Sequence, residues 1–260
     1  MVGNHQSISF GRIMMILIKL LLVLQCLIVV SEAKVSRKPG YDFFFFVQQW
    51  PGGYCDTKRG CCYPTTGKPA EDFTIHGLWP NFNNGTYPQT CDLSNPFDKS
   101  LVSYTLVKTT ISDLIERMQN DWPTLSCPSR DGFRFWGHEW NKHGTCSENV
   151  LDQHSFFEKT LDFKISSNLL QHLKDAGINP DNEFYSANDV EAAIKNALGV
   201  TPYLECNFDR EGNSQLSQVY ICVDKRASAF IECPVMPHAK RCTSDIQFES
   251  FSDSKILNDQ

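Results

Sequence analysis

The chain has 260 residues, 24 Lys and Arg against 30 Asp and Glu for a formal net charge of −6, and 41% apolar residues. That apolar content is ample for a core and excludes a disordered or low-complexity chain. Net acidity argues against a surface that coats nucleic acid indiscriminately, though not against a small cationic site in an acidic shell.

Residues 13–30 form an apolar run interrupted only by Lys19 and Gln25, with Arg12 before it and the small residues Ser31 and Ala33 after it. This pattern predicts a secretory signal over residues 1–33, cleaved after about Ala33. A permanent membrane anchor fits less well, because Lys19 shortens the unbroken stretch to residues 20–30, below the roughly 20 residues a span needs. No later segment is long and apolar enough to span, so no stable membrane association is expected after cleavage. The remainder reads as one domain over residues 34–248, with a polar, flexible tail over 249–260. Of eleven cysteines, Cys26 would leave with the signal. The other ten are Cys55, Cys61, Cys62, Cys91, Cys127, Cys146, Cys206, Cys222, Cys233 and Cys242. An even count in an oxidising compartment predicts five disulfides whose pairing the spacing leaves open. No paired C-x-x-C arrangement suggests zinc. Asn84-Gly85-Thr86 is the one N-x-[ST] acceptor, on a turn, and predicts a surface glycan at Asn84.

Tyr41–Gln49, dense in aromatics, reads as a buried strand. Phe73–Trp79 alternates and reads as a strand that turns at Pro80. Helical spacing of apolar residues predicts helices over Pro96–Asn120 and Val150–Asp175. A third helix is expected from Asn188, with Glu191 as its capping-box partner, to about Gly199. Tyr203–Phe208, Gln215–Val223 and Phe230–Glu232 read as closing strands. Strands and helices mix without βαβ alternation, which predicts the α+β class.

Two segments carry chemistry: FTIHGLWP, Phe73–Pro80, and FWGHEWNKHGTC, Phe135–Cys146. If Phe135–His143 is helical at about 100° per residue, with His138 at zero, Lys142 falls near 40°, Phe135 near 60°, Glu139 near 100° and His143 near 140°. Gly144 then ends the helix. Two imidazoles, an ammonium and a carboxylate on one arc are not a core's choice. They suit a transition state that needs a proton acceptor, a donor and cationic stabilisation of oxyanions, with phosphoryl transfer the obvious candidate. Zinc fits poorly here: His138 and His143 are five apart rather than the four of HExxH, and Lys142 would repel the ion. His76 stands in an apolar strand and joins this reading only through the second segment. His154, His172 and His238 read as ordinary structural or surface histidines.

The two segments, the opening FFFVQQWPGGYC and the cysteine pattern resemble the ribonuclease T2 family of secreted acid endoribonucleases, and most of all its plant S-like branch, over roughly Tyr41 to Cys242. The resemblance implies a disulfide-stabilised single domain with a central, mainly antiparallel sheet flanked by helices. It implies metal-independent cleavage of single-stranded RNA, with no cofactor, through attack of the 2′-hydroxyl to give a 2′,3′-cyclic phosphate and then a 3′-phosphate. DNA, which lacks that hydroxyl, is excluded as substrate. By position, His143 would be the general base, His76 the general acid, His138 a phosphate holder, and Glu139 and Lys142 stabilisers of the pentacoordinate phosphorus. Gln49, Trp79, Phe135 and the stretch Thr124–Leu125 could bind bases or shape the pocket; Thr124 stands where some uridine-preferring relatives carry Asn. The disulfides implied are Cys55–Cys61, Cys62–Cys127, Cys91–Cys146, Cys206–Cys242 and Cys222–Cys233. A monomer in the extracellular space or the vacuole is expected.

From residue 34 onward the formal charge is −7, and protonating the six remaining histidines brings it to −1. A polyanion is therefore repelled less at acidic pH, which predicts an optimum at about pH 5 to 6. The alternative reading is a catalytically inactive relative used as a storage or binding protein; such relatives lose a catalytic histidine, and here His76 and His143 are both present. A self-recognition ribonuclease of the pollen-rejection type would tend to be basic, against a pI near 5.6 here.

Overall fold

The computed structural model describes residues 14, 15, 17–19, 21, 40–101 and 112–251. Residues 1–37 separate as a unit of their own, in which the six described residues are helical. The expected signal and its cleavage site otherwise lie outside the described residues. No helix among the described residues is long and apolar enough to cross a membrane.

The second unit runs in the order β1 (Phe43–Gln49), α1 (Pro51–Cys55), β2 (Thr74–Asn81), α2 (Ser112–Asp121), α3 (Phe133–Lys142), α4 (Gln153–Ser167), α5 (Leu169–Asp175), β3 (Phe184–Ser186), α6 (Ala187–Leu198), β4 (Tyr203–Phe208), β5 (Ser214–Asp224), β6 (Phe230–Ile231) and β7 (Asp245–Gln247). The seven strands form one sheet in the order β2-β1-β5-β7-β3, with β4 and β6 also on β5. All pairings are antiparallel except the single parallel contact of β5 with β7. The class is α+β, with helices against one face.

β1 is central, and all seven of its residues are buried. That explains its uninterrupted aromatic run: Tyr41, Phe44 and Phe46 enter the main core with the helices, while Phe43, Phe45 and Val47 pack on the other face with Tyr203, Tyr220 and Cys222. β2 runs through Pro80 to Asn81 rather than turning at Pro80. It is an edge strand, where the missing N–H of proline costs no ladder bond.

Three helix expectations need correction. Over Pro96–Asn120 the described helix is only α2, preceded by a single 3-10 turn at Lys99–Leu101; residues 102–111 lie outside the described residues. Val150–Asp175 divides into α4 and α5 at Asn168, whose φ of 35° lies in the left-handed region that Asn tolerates. The N-terminus of α4 is capped by Asp152, which accepts from the Ser155 N–H at 2.7 Å. α6 has no capping box: it follows β3 directly, and the Ala187 N–H donates to Ser244 O at 2.8 Å. Its end matches expectation, with Gly199 at φ 75°.

The tail boundary also moves. Glu249 and Phe251 are buried, and the Trp50 indole N–H donates to Glu249 O at 2.6 Å. Residues 252–260 lie outside the described residues. The five disulfides are Cys55–Cys61, Cys62–Cys127, Cys91–Cys146, Cys206–Cys242 and Cys222–Cys233, the pairs written above.

Candidate active site

His76 owes its position to a β-bulge. Val47 of β1 pairs with Gly77 and the next residue, Gln48, pairs with Ile75, so His76 has no partner in the ladder. The bulge resets the alternation of the strand: Ile75 and Leu78 both enter the main core, while Trp79 packs with the cluster on the opposite face. Its freed backbone carbonyl is not orphaned. The Trp122 indole N–H donates to His76 O at 3.0 Å, and the Trp136 indole N–H donates to Trp122 O at 2.8 Å. Two tryptophans thus link the bulge of β2 to α3. At the start of β2, buried Lys164 of α4 pairs with Asp72 at 2.8 Å, and the Phe73 N–H donates to Asp72 Oδ1 at 2.7 Å.

α3 buries Trp136, Gly137, Glu139 and Trp140, and leaves His138 exposed and Lys142 half-buried. The Trp140 indole N–H is satisfied by Asn95 O at 3.0 Å. His143 caps the helix, its N–H donating to Glu139 O at 3.0 Å. Gly144 is not a left-handed terminator as expected; it opens the 3-10 turn Gly144–Cys146, and a Cβ there would collide with the Trp140 ring. Close packing, not φ, demands this glycine. Cys91–Cys146 and the Thr90 N–H donating to Lys142 O at 2.8 Å hold the end of α3 to the segment after β2.

His76, Trp79, His138, Glu139, Lys142 and His143 line one cavity of about 300 Å³. The Trp79 indole sits between the two histidine segments: its centroid is 4.8 Å from the His76 ring, edge-on, and 5.3 Å from the His143 ring, stacked. Its N–H donates to Glu139 Oε2 at 2.9 Å. The space for that bond exists because residue 77 is glycine; a Cβ there would collide with both partners.

Electrostatics follow from burial. His143 is pushed down to about 3, first by burial and then by Lys142, His138 and His76. Among the described residues its buried Nδ1 has no hydrogen-bond partner, so no acceptor there stabilises the charged ring. His76 is lowered by burial, partly offset by its hydrogen bond to Gln218, with His138 and Lys142 lowering it further. His138 is lowered by burial and by Lys142. Burial raises Glu139 to about 8, against the lowering effects of Trp79 and Lys142. A neutral base and a carboxyl that keeps its proton through the acid range therefore share one cavity.

The sequence missed a network behind His76. Its Nδ1 meets Gln218 Oε1 at 2.5 Å; Gln218 Nε2 donates to Glu205 Oε2 at 2.9 Å, and the Tyr220 hydroxyl donates to the same oxygen at 2.6 Å. Nothing singles out these residues in the sequence, because only the pairing of β4 and β5 brings them together. Asn81, Tyr87, Tyr220 and His238 also line the cavity. His238 was read as an ordinary histidine; the disulfides at Cys233 and Cys242 and the Tyr203 hydroxyl bond to Ala239 O at 2.7 Å fold its loop back to the rim.

Of the expected base-binding residues, Thr124 and Phe135 line a second cavity of about 370 Å³ that also meets His138. The Phe135 ring lies 6.1 Å from that of His76. Leu125 and Gln49 line neither cavity. Leu125 is buried in the core, and Gln49 is buried in β1 between Thr74 and Gln218. Asn84 is exposed, its Oδ1 accepting from the Thr86 N–H at 3.0 Å and the Thr86 hydroxyl at 2.7 Å. Among the described residues no group of three His, Cys, Asp or Glu side chains is placed to hold a metal ion.

Comparison with known proteins accords with this architecture. The structure aligns with the crystal structure of RNase NT in complex with 5′-AMP at a TM-score of 0.76 and 53% identity, covering 82% of this chain and 100% of that one. Extracellular ribonuclease LE of Solanum lycopersicum is 55% identical, over 89% of this chain and 95% of its own length. Intracellular ribonuclease LX of the same species is 53% identical, over 91% of this chain and 94% of its own. Fold and relatives together define an endoribonuclease. The family model for the ribonuclease T2 family matches residues 41–233, and the chain belongs to that family.

Proposed function

We propose that this endoribonuclease cleaves single-stranded RNA without a metal ion, by transphosphorylation within one cavity. The observation that carries the reading is the packing of the His76 and His143 rings on one indole, that of Trp79. His143, unprotonated, takes the proton of the ribose 2′-hydroxyl. O2′ bonds to phosphorus, the bond from phosphorus to O5′ breaks, and protonated His76 delivers its proton to the departing O5′. The products are a 2′,3′-cyclic phosphate and a free 5′-hydroxyl; water later opens the cycle to a 3′-phosphate. Lys142 and His138 offset the charge on the phosphoryl oxygens. Glu139, holding its proton, donates a hydrogen bond to one of them. Trp79 holds the acid and base segments in register and points its N–H at Glu139. The protein acts as a monomer, travels the secretory pathway after loss of residues 1–33, and carries a glycan at Asn84.

A defined oligoribonucleotide incubated with EDTA tests this. Cyclic phosphate products should accumulate at rates within about twofold of the chelator-free rate, and the matching deoxyoligonucleotide should stay intact. Loss of activity with EDTA would favour metal-assisted hydrolysis. No activity in either condition would favour the storage reading.

The pH profile follows from the same groups. The base is lost as pH falls through the His143 value of about 3. The acid is lost as pH rises through the His76 value, which lies below 6.5. kcat/KM should therefore be a bell centred on the acid side of 6.5. A bound phosphate anion favours both imidazolium forms, so the limbs of kcat should lie at higher pH than those of kcat/KM. An optimum of kcat/KM above about pH 7 would contradict the assignment.

A further inference from the structure

Arg134, His138 and Lys142 lie four residues apart on α3, which puts them in one row with about 6 Å of rise per step. His138 and Lys142 line the catalytic cavity, whereas Arg134, Phe135 and His138 line the second cavity, together with Arg130 from the loop before α3. The two cavities thus meet at His138. Arg130 and Arg134 are exposed, and among the described residues neither guanidinium meets a carboxylate. The nearby acid is Asp131, whose Oδ1 accepts instead from the Phe133 N–H at 3.3 Å. In a chain of net charge −6, two unpaired arginines continuing a cationic row away from the reaction centre are out of keeping with the surface as a whole.

We infer that Arg134 and Arg130 bind the phosphodiester next to the scissile one, so that a polyribonucleotide runs along α3 from the catalytic cavity into the second. This rests on the single-stranded RNA reading above. Each step of the row is comparable to one nucleotide of an extended strand, and the Phe135 face beside His138 can take a base between the two phosphates. Guanidinium forks suit that contact because they hold two phosphoryl oxygens at once.

The test compares a dinucleoside monophosphate, which has only the scissile phosphate, with a single-stranded decaribonucleotide. In Arg130→Gln/Arg134→Gln, the ratio of kcat/KM on the longer substrate to that on the shorter should drop roughly tenfold at low salt. The slope of log kcat/KM against log salt on the longer substrate should flatten by about 0.7 per arginine removed. Arg130→Lys/Arg134→Lys should keep the slope. An unchanged ratio and slope, or equal losses on both substrates, would overturn the inference. A wild-type protein that cleaved neither substrate would instead overturn the underlying reading, which separates the two failures.

Discussion

His143→Ala and His76→Ala should each lower kcat/KM on RNA by roughly 10²- to 10⁴-fold while leaving the fold intact. The roles separate on a substrate with a good leaving group, such as a uridine 3′-(4-nitrophenyl phosphate). Nitrophenolate departs without a proton, so His76→Ala should recover most of its activity there. The 2′-hydroxyl must still be deprotonated, so His143→Ala should stay impaired. The pH limbs should divide likewise: His143→Ala loses the acid limb and His76→Ala the alkaline one. Because both groups serve one step, the double variant should lose far less than the product of the single losses. Among the described residues the His143 Nδ1 has no hydrogen-bond partner, so removing the ring strands no polar group, and the melting temperature should fall only by the few degrees that the lost stacking on Trp79 costs. If His76→Ala were equally impaired on both substrates, the general-acid role would be wrong.

What could be read without coordinates, and what could not, follows from the range of the interactions. The strand at Tyr203–Phe208, the aromatic strand expected from Tyr41 that begins at Phe43, and the arc on α3 are local patterns, set by residue type and period. The orientation of His76 is not local. Strict alternation would put His76 on the face of Leu78 and opposite Trp79; the bulge sends Leu78 into the core with Ile75 and leaves His76 beside Trp79, and it exists only through the pairing of β2 with β1 and the Trp122 bond to the freed carbonyl. Gly144 shows the same limit. A glycine after a helix reads as a left-handed cap, but here a ring one turn earlier sets the requirement. Leu125 is a candidate base contact by position in the resemblance, yet burial takes its side chain into the core. Gln218, Glu205 and His238 were invisible because sheet pairing and disulfides carry them to the site.

Gln218 carries the second large effect, as a positioning residue. Its amide orientation is fixed from behind, because Glu205 accepts from Nε2 and also from Tyr220, whose hydroxyl burial and Glu205 hold in the protonated form. Oε1 therefore faces His76, whose Nδ1 must donate, leaving Nε2 to carry the transferable proton into the cavity. In Gln218→Leu the ring loses both its orientation and the bond that raises its affinity for a proton. kcat should fall roughly 10²-fold, and the alkaline limb of kcat/KM should move to lower pH. Gln218→Glu puts a carboxylate opposite Nδ1, which favours imidazolium and should move the same limb to higher pH. The nitrophenyl substrate should suppress the Gln218→Leu defect as it does that of His76→Ala, since both act on the leaving group. A loss of rate in Gln218→Leu with the limb unmoved and the defect equal on both substrates would mean that Gln218 supports the sheet rather than the acid.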